Sequence, residues 1–189
     1  AGVAKVSSGS LRLAKSDGAI AIPGDLIIGG LIGANNSDQV FCAEQNQFSS
    51  NSVVTVLPSG QLLLNSGSTT VGGLILQGGE VATSFGTLVL NGNVSVPPAV
   101  QQSKIAGKLS LGALQRTFDV AASATYPALE ISAVISGTAQ GGIRKTGGGT
   151  LWLSGNNTYS GATSIIEGEV VVAHQKALGE AVAPYTGNG

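Results

Sequence analysis

The chain has 189 residues, a length that fits one domain with a sizeable core. Hydrophobic residues make up 42% and charged residues only 10%, which is unlike the composition of disordered proteins. Nine basic and ten acidic side chains give a net charge of −1, and no cluster of Lys or Arg creates the positive potential that nucleic acids or anionic lipids require. No apolar stretch approaches the roughly 20 residues of a transmembrane helix. The composition predicts a folded protein with no nucleic-acid partner and no membrane span.

A short glycine-led cassette recurs along the chain and consists of a Gly, one further residue and an apolar-x-apolar triplet. In chain order the copies are GSLRL (9–13), GDLII (24–28), GQLLL (60–64), GGLIL (72–76), GTLVL (86–90), GKLSL (107–111), GTLWL (149–153) and GEVVV (168–172). Alternation with a period of two residues is typical of β-strands, and no window has the apolar spacing of an amphipathic helix. The sequence therefore predicts an all-β protein.

The regular recurrence of the cassette favours a parallel β-solenoid, in which each coil places its strand over the strand of the preceding coil. A glycine before each strand would supply the backbone freedom needed at a repeated corner. We expect residues 1–189 to form a single solenoid domain of this kind. The turn residues would also suit hairpins, so an antiparallel β-sandwich or jelly roll is the alternative.

Two segments interrupt the rhythm of the cassettes. Residues 35–52 are polar apart from Phe41 and Phe48, which predicts an excursion from the coil and a candidate recognition segment. Pro97 and Pro98 cannot donate hydrogen bonds within a central strand, so a break in the ladder is expected near residues 97–106.

The sequence offers little material for catalysis or for metal binding. The ten carboxylates are scattered along the chain, and only Glu167 and Glu169 lie close together. His174 is the one imidazole and Cys42 the one thiol, so neither a zinc site nor a nucleophile with its base can be assembled from adjacent residues. We predict no catalytic residue, no metal and no cofactor, and we interpret Cys42 as a small core residue.

Several strands are apolar on the face that should be polar. If the flanking residues of each cassette point inward, Leu63, Ile75, Val89, Trp152 and Val171 point outward. Apolar residues on both faces of a strand indicate that both faces are covered. We predict that Leu63, Ile75 and Val89 stack into one apolar stripe, which is either covered by residues 35–52 or used as an interface. Association into a homo-oligomer or fibre would use this stripe or the free strand edges.

The C-terminal part of the chain resembles a known family. Three elements carry the likeness: the strand region ISGTAQGGIRKTGGGTLWLSG, the turn NNTYSGAT and the ending IIEGEVVVAHQKALG. Together, within residues 112–179, they resemble the autotransporter-associated β-strand repeat of bacterial secreted passenger proteins. The resemblance implies a right-handed parallel β-helix that is exported and displayed outside a Gram-negative type of cell, usually as the stalk of a larger surface protein.

Three functional hypotheses follow from the sequence. The first is a non-catalytic extracellular structural protein, either a stiff solenoid stalk or a self-assembling fibre subunit. The second is an adhesin-type passenger module that binds a host or glycan surface through the segment around Phe41 and Phe48. The third is a β-helix carbohydrate-active enzyme.

Overall fold

The structure of the protein is a computed structural model that describes residues 2–180. These residues form twenty β-strands, β1 to β20 in chain order, and no helix. Every pairing between the strands is parallel. The predicted β-solenoid is confirmed, and the antiparallel alternative is wrong. Within the described part of the chain, no helix is long and apolar enough to cross a membrane.

The strands form three sheets that run along the solenoid axis, which we call A, B and C. Sheet A contains β1 (Ala4–Val6), β3 (Leu26–Ile28), β5 (Val53–Val56), β8 (Gly73–Leu76), β11 (Val94–Val96), β14 (Arg116–Val120), β17 (Ile143–Thr146) and β19 (Thr163–Ile165). Sheet B contains β2 (Ser10–Leu13), β4 (Asp38–Cys42), β6 (Gly60–Leu64), β9 (Glu80–Thr83), β12 (Ser103–Ala106), β15 (Leu129–Ile131), β18 (Thr150–Leu153) and β20 (Glu169–Val172). Sheet C contains β7 (Ser68–Val71), β10 (Thr87–Leu90), β13 (Lys108–Ser110) and β16 (Val134–Ser136).

The core is made of side chains that repeat at the same position in successive coils. Because neighbouring strands pair in register, each inward residue lies directly over its counterpart in the preceding coil. In sheet B one inner column contains Leu11, Val40, Leu62, Val81, Ile105, Ile131, Leu153 and Val172. In the middle of the solenoid these residues are fully buried, so the columns form a continuous apolar interior.

The two segments that interrupt the sequence pattern do not interrupt the ladder. Asp38–Cys42 forms β4 and pairs with strands on both sides, so this part of residues 35–52 lies in the coil and not outside it. The expected break near residues 97–106 is likewise absent, because Pro97 and Pro98 occupy the turn between β11 and β12 while both strands stay paired. Proline is tolerated there because the turn requires no ladder donor.

Asn157 closes the last strand of sheet C. Its carboxamide oxygen accepts a hydrogen bond of 2.8 Å from the backbone N–H of Ile135 in β16, and its Nδ2 donates to the carbonyl of Ala177 at 2.7 Å. The N–H of Thr158 donates to the carbonyl of Ile135, so both backbone groups of Ile135 are satisfied without a further strand. The side chain of Asn157 therefore replaces a strand at this edge.

Tyr159 fills the interior beneath this edge. The ring is fully buried, and the hydroxyl lies 2.7 Å from Oγ1 of Thr163. The chain then returns over it, since the N–H of Glu180 donates to the carbonyl of Tyr159 and Ala177 is fully buried. The NNTYSGAT turn and the following HQKALG segment thus act together as one closure of sheet C.

We expect Asn157→Ala to lower the free energy of unfolding by about 1–3 kcal/mol, because it removes the partner of a buried N–H and of a buried carbonyl. The adjacent Asn156 is exposed, so Asn156→Ala is the matched control and should be nearly neutral. Urea denaturation of the three proteins measures the difference. Equal stabilities for the two variants would show that Asn157 does not close the sheet.

Candidate functional site

The residues expected to form one apolar stripe lie on three different sheets. Leu63 is in β6 of sheet B, Ile75 is in β8 of sheet A and Val89 is in β10 of sheet C. The prediction that they stack is therefore wrong. The physical reason is that these cassettes form β6, β8 and β10, so the step from one to the next covers two sides of the three-sided coil and not the full turn that leads from β6 to its partner β9. All three side chains are half-buried on the outer faces of their own sheets.

Trp152 and Val171 do stack on each other. They are register partners in β18 and β20 of sheet B, and both are half-buried on its outer face. Leu63 lies on the same sheet but in a different column, next to Phe41 in β4. The five predicted interface residues thus form one adjacent pair and three separate positions.

The two phenylalanines of the candidate recognition segment have different environments. Phe41 lies half-buried on the outer face of sheet B, with the guanidinium carbon of Arg12 at 5.9 Å from the ring centroid. Phe48 is 3% exposed and belongs to the apolar core, where its bridge to Ile22 continues the coil. Phe48 therefore has no free surface for recognition.

A second column on the outer face of sheet B brings together residues that are far apart in sequence. Glu80 pairs in register with Lys104, Lys104 with Glu130, and Glu130 with Trp152. The four side chains occupy consecutive rungs, which are about 4.8 Å apart in a parallel sheet. We call this row the outer column of sheet B. Two of the carboxylates that looked scattered in the sequence thus share one face with a lysine and a tryptophan.

The hydrogen bonds of this column leave most of its polar capacity free. Glu80 accepts a bond of 2.9 Å from the carboxamide of Asn36. Within residues 2–180 the one ion pair joins Lys176 and Glu180, so Lys104 is not paired with either neighbouring glutamate. The column continues on its N-terminal side with Gln39 and Gln61, whose carboxamides are hydrogen-bonded to each other at 3.0 Å.

Glu169 lies beside the C-terminal end of this face. Its Oε2 accepts hydrogen bonds from the hydroxyls of Thr150 at 2.9 Å and Tyr126 at 3.2 Å. Desolvation, together with the negative charge and hydrogen bond of Glu169, raises the pKa of Tyr126. Tyr126 is therefore a neutral hydrogen-bond donor at neutral pH, and it is 66% exposed.

Lys145 is a charged residue for which the sequence predicted no role. It occupies an inner column of sheet A, where it pairs with the core residue Phe118, and it is fully buried. The ammonium donates to the carbonyl oxygens of Thr146, Gly147 and Glu167 at 2.8, 2.5 and 3.1 Å. Three hydrogen bonds saturate a lysine, so this group is a structural clamp between two coils.

The environment of Lys145 shifts its pKa and leaves no room for a side chain at the nearby Gly168. Burial lowers the pKa of Lys145, while the charges of Asp119 and Glu167 act in the opposite direction. Gly168 has a φ of +74°, and a Cβ there would lie 2.8 Å from the Lys145 ammonium and 2.4 Å from the Gly147 carbonyl oxygen. A side chain at Gly168 would displace the clamp. The sequence carries only a weak signal for the burial of Lys145. Side chains of the IRKT strand alternate between its two faces, so Arg144 and Lys145 must face opposite sides.

The thiol and the imidazole have structural surroundings. Cys42 is fully buried, and desolvation raises its pKa to about 12, which makes it inert as a nucleophile at neutral pH. The Nδ1 of His174 accepts the backbone N–H of Lys176 at 3.0 Å within a turn. Among residues 2–180, no group of three or more His, Cys, Asp or Glu side chains is arranged to hold a metal ion.

A shallow apolar groove of about 390 Å³ runs along the corner between sheets A and B. It is formed by turns of successive coils, and its lining includes Leu31, Pro58, Pro98 and Val100. Leu31 and Val100 are 67% and 80% exposed. Gln77 contributes an amide, but this group is already bonded to the carbonyl of Pro98. The groove thus has apolar surface and few polar groups that could orient a ligand.

Comparison with known proteins identifies the C-terminal coils. Residues 143–172 match the family model of the passenger-associated-transport-repeat. The match begins with β17 and ends with β20, so it contains Lys145, Asn157, Tyr159 and Trp152. No curated protein and no solved structure matches the chain. The family match and the β-solenoid together confirm the resemblance to autotransporter passenger repeats.

Proposed function

We propose that this chain is a non-catalytic structural segment of a secreted, surface-displayed bacterial passenger protein, in which a stiff solenoid carries other parts away from the cell. The observation that supports this function is the uninterrupted parallel ladder of sheets A and B, each with eight strands. Eight rungs correspond to a rod of roughly 35 Å. The passenger repeat at residues 143–172 supports export and display.

The distribution of polar groups supports a mechanical role. The buried cations Lys145 and Arg116 both donate to backbone carbonyls, with Arg116 bonded to Leu111 at 2.9 Å and to Asn91 at 2.7 Å. The bond from Arg116 to Asn91 and the bond from Lys145 to Glu167 each link two neighbouring coils. A parallel ladder resists bending because each coil is bonded to its neighbours along its whole length.

The proposed stalk requires an intact interior for display. We expect Leu74→Asp, which places a carboxylate in an inner column of sheet A, to destabilise the fold by roughly 4 kcal/mol or more because the charge is buried without a partner. Thr55→Asp is the matched control, since Thr55 faces outward on the adjacent rung. The chain would be produced in a Gram-negative host with a translocating carrier and an epitope at its outer end.

Antibody labelling of whole cells measures the outcome. The wild-type chain and Thr55→Asp should present the epitope at the surface, and Leu74→Asp should be lost to proteolysis. Equal labelling of Leu74→Asp would contradict a function that depends on the folded rod, as would retention of the folded wild-type chain inside the cell.

Association through strand edges is a second part of the proposal. Among the described residues, β19 and β20 each have a neighbour on one side only, and the inward-facing Ile165 and Val172 are 54% and 50% exposed. Unpaired edges with apolar side chains favour pairing with another copy. Sedimentation velocity should show concentration-dependent oligomers that Val172→Lys removes, with Arg144→Lys as an exposed control. A monomer at every concentration would refute association.

A further inference from the structure

The two ends of the solenoid present the same arrangement of open strand edges. Sheets A and B begin with β1 and β2 and end with β19 and β20, and within residues 2–180 each of these four strands has a neighbour on one side only. Sheet C stops short of both ends, because its outermost strands are β7 and β16. Each end therefore offers one edge of sheet A beside one edge of sheet B. The C-terminal end of one copy can thus meet the N-terminal end of another on both sheets at once.

The inner columns of the core are incomplete at both ends. In sheet A the inner column that contains Leu74 begins at Ala4 and ends at Ile165, and in sheet B the inner column begins at Leu11 and ends at Val172. The middle of each column is buried, whereas Ile165 and Val172 are 54% and 50% exposed, and Ala4 and Leu11 are half-buried. A second copy that continued the register would place its Ala4 on Ile165 and its Leu11 on Val172, which would remove apolar surface from water at both ends.

Head-to-tail contact is the arrangement that repeats the pairing found inside the solenoid. Every strand pairing within residues 2–180 is parallel, so a second copy that follows in the same direction continues both ladders as parallel pairs. Contact between two like ends would reverse one copy, and the strands would run antiparallel across the junction. A junction of unlike ends leaves a free edge at each end of the pair, so further copies can be added.

The first and last coils carry opposite charges. The first coil, residues 2–24, has three cationic side chains and one carboxylate, which sum to +2: Lys5, Arg12, Lys15 and Asp17. The last coil, residues 162–180, has one cationic side chain and three carboxylates, which sum to −2 with His174 neutral: Lys176, Glu167, Glu169 and Glu180. Adjacent rungs are closer than the screening length of about 8 Å at physiological salt, so these charges attract across a head-to-tail junction. Like ends would repel.

The adjoining coils preserve this alternation of charge. Residues 25–52 contain three carboxylates and no cationic side chain, namely Asp25, Asp38 and Glu44. Residues 142–161 contain two cationic side chains and no carboxylate, namely Arg144 and Lys145. Across a head-to-tail junction the charge is therefore positive, negative, positive and negative from one coil to the next. A junction of two first coils or of two last coils would break this order.

We propose that the free edges at the C-terminal end bind the N-terminal edges of a second copy, so that copies stack head to tail around one continuous core. In this arrangement β1 continues sheet A after β19, and β2 continues sheet B after β20. The inference rests on the proposed association through strand edges, and it names the surface of the partner that those edges meet. Copies joined in this way form an open filament and not a closed dimer.

Disulfide trapping between two single-cysteine variants tests the direction of stacking. In a Cys42→Ala background, Ser10→Cys and Val171→Cys place a thiol on the first and last rungs of the outer column of sheet B, where both side chains face away from the core. In a head-to-tail junction the two thiols belong to register partners about 4.8 Å apart, a separation that a disulfide can span. A size tag on one variant makes the mixed disulfide and the two self-disulfides differ in mass.

After mild oxidation of an equal mixture, the mixed disulfide should be severalfold more abundant than either self-disulfide. Thr55→Cys, in the middle of sheet A, is the control and should give no intermolecular product. Predominant self-disulfides of Val171→Cys or of Ser10→Cys would show that like ends meet, which overturns the proposal while association through edges stands. The absence of any oligomer would overturn both, and the labelling of whole cells decides the stalk function separately.

Charge reversal tests the electrostatic part of the proposal. Lys5→Glu together with Arg12→Glu changes the first coil from +2 to −2, so association measured by sedimentation velocity should weaken severalfold at low ionic strength. Adding Glu167→Lys and Glu169→Lys to the same chain changes the last coil from −2 to +2 and should restore association. Thermal melting shows whether each variant is folded.

The matched control is Lys104→Glu together with Lys108→Glu, which changes the net charge of the chain equally but lies in the middle of the solenoid. Both lysines are exposed, and their reversal should weaken association less than reversal in the first coil. A folded four-residue variant that fails to regain association would contradict the pairing of unlike ends, as would an equal loss in the control.

Discussion

The structure depends on the in-register stacking of equivalent residues from one coil to the next. Each inner column repeats a buried apolar side chain, and the backbone hydrogen bonds that hold the coils together run parallel to the axis. No single coil could bury its own apolar face, so every coil depends on its neighbours. Two buried polar residues depart from this apolar pattern. Lys145 and Asn157 both lie within the residues that match the passenger-associated-transport-repeat, and both form hydrogen bonds with backbone groups of the C-terminal coils.

The same stacking determines what the outside of the molecule can do. Once the interior fixes the register, outward residues separated by more than twenty positions in sequence become neighbours. Glu80, Lys104 and Glu130 form such a set, and so do the carboxamides of Gln39 and Gln61. A row of neighbouring polar side chains on a solenoid is therefore assembled by the stacking of rungs and not by a linear motif. This explains how a chain without a linear motif can present an organised row of polar groups.

Much of the fold could be predicted because period-two alternation and recurrent glycines are local signals. GQLLL, GTLWL and GEVVV are strands as expected, and the parallel arrangement follows from their repetition. The number of sides per coil could not be predicted, because alternation shows which face of a strand is buried and not which sheet the strand joins. Coil length also varies, since Leu26 pairs with Val54 but Val54 already pairs with Leu74. For this reason the sequence wrongly predicts one apolar stripe made of Leu63, Ile75 and Val89.

The positions of individual polar residues could not be predicted from the sequence either. A lysine in a strand normally faces water, and only the carbonyls of Thr146, Gly147 and Glu167 make the interior acceptable for Lys145. Asn157 resembles any turn asparagine until the backbone of Ile135 is placed beside it. The polar surroundings of Phe48 suggested exposure, whereas the bridge to Ile22 draws it into the core.

Disulfide trapping of neighbouring rungs tests the three-sided parallel ladder most directly. In a Cys42→Ala background, cysteines at Thr55 and Ile75 would occupy outward register partners in sheet A, about 4.8 Å apart. Cysteines at Leu63 and Ile75 would lie on different sheets. Under mild oxidation we expect the first pair to crosslink within one chain and the second pair to remain reduced. Crosslinking of Leu63 with Ile75, or failure of Thr55 with Ile75, would contradict the stacking on which the whole structure depends.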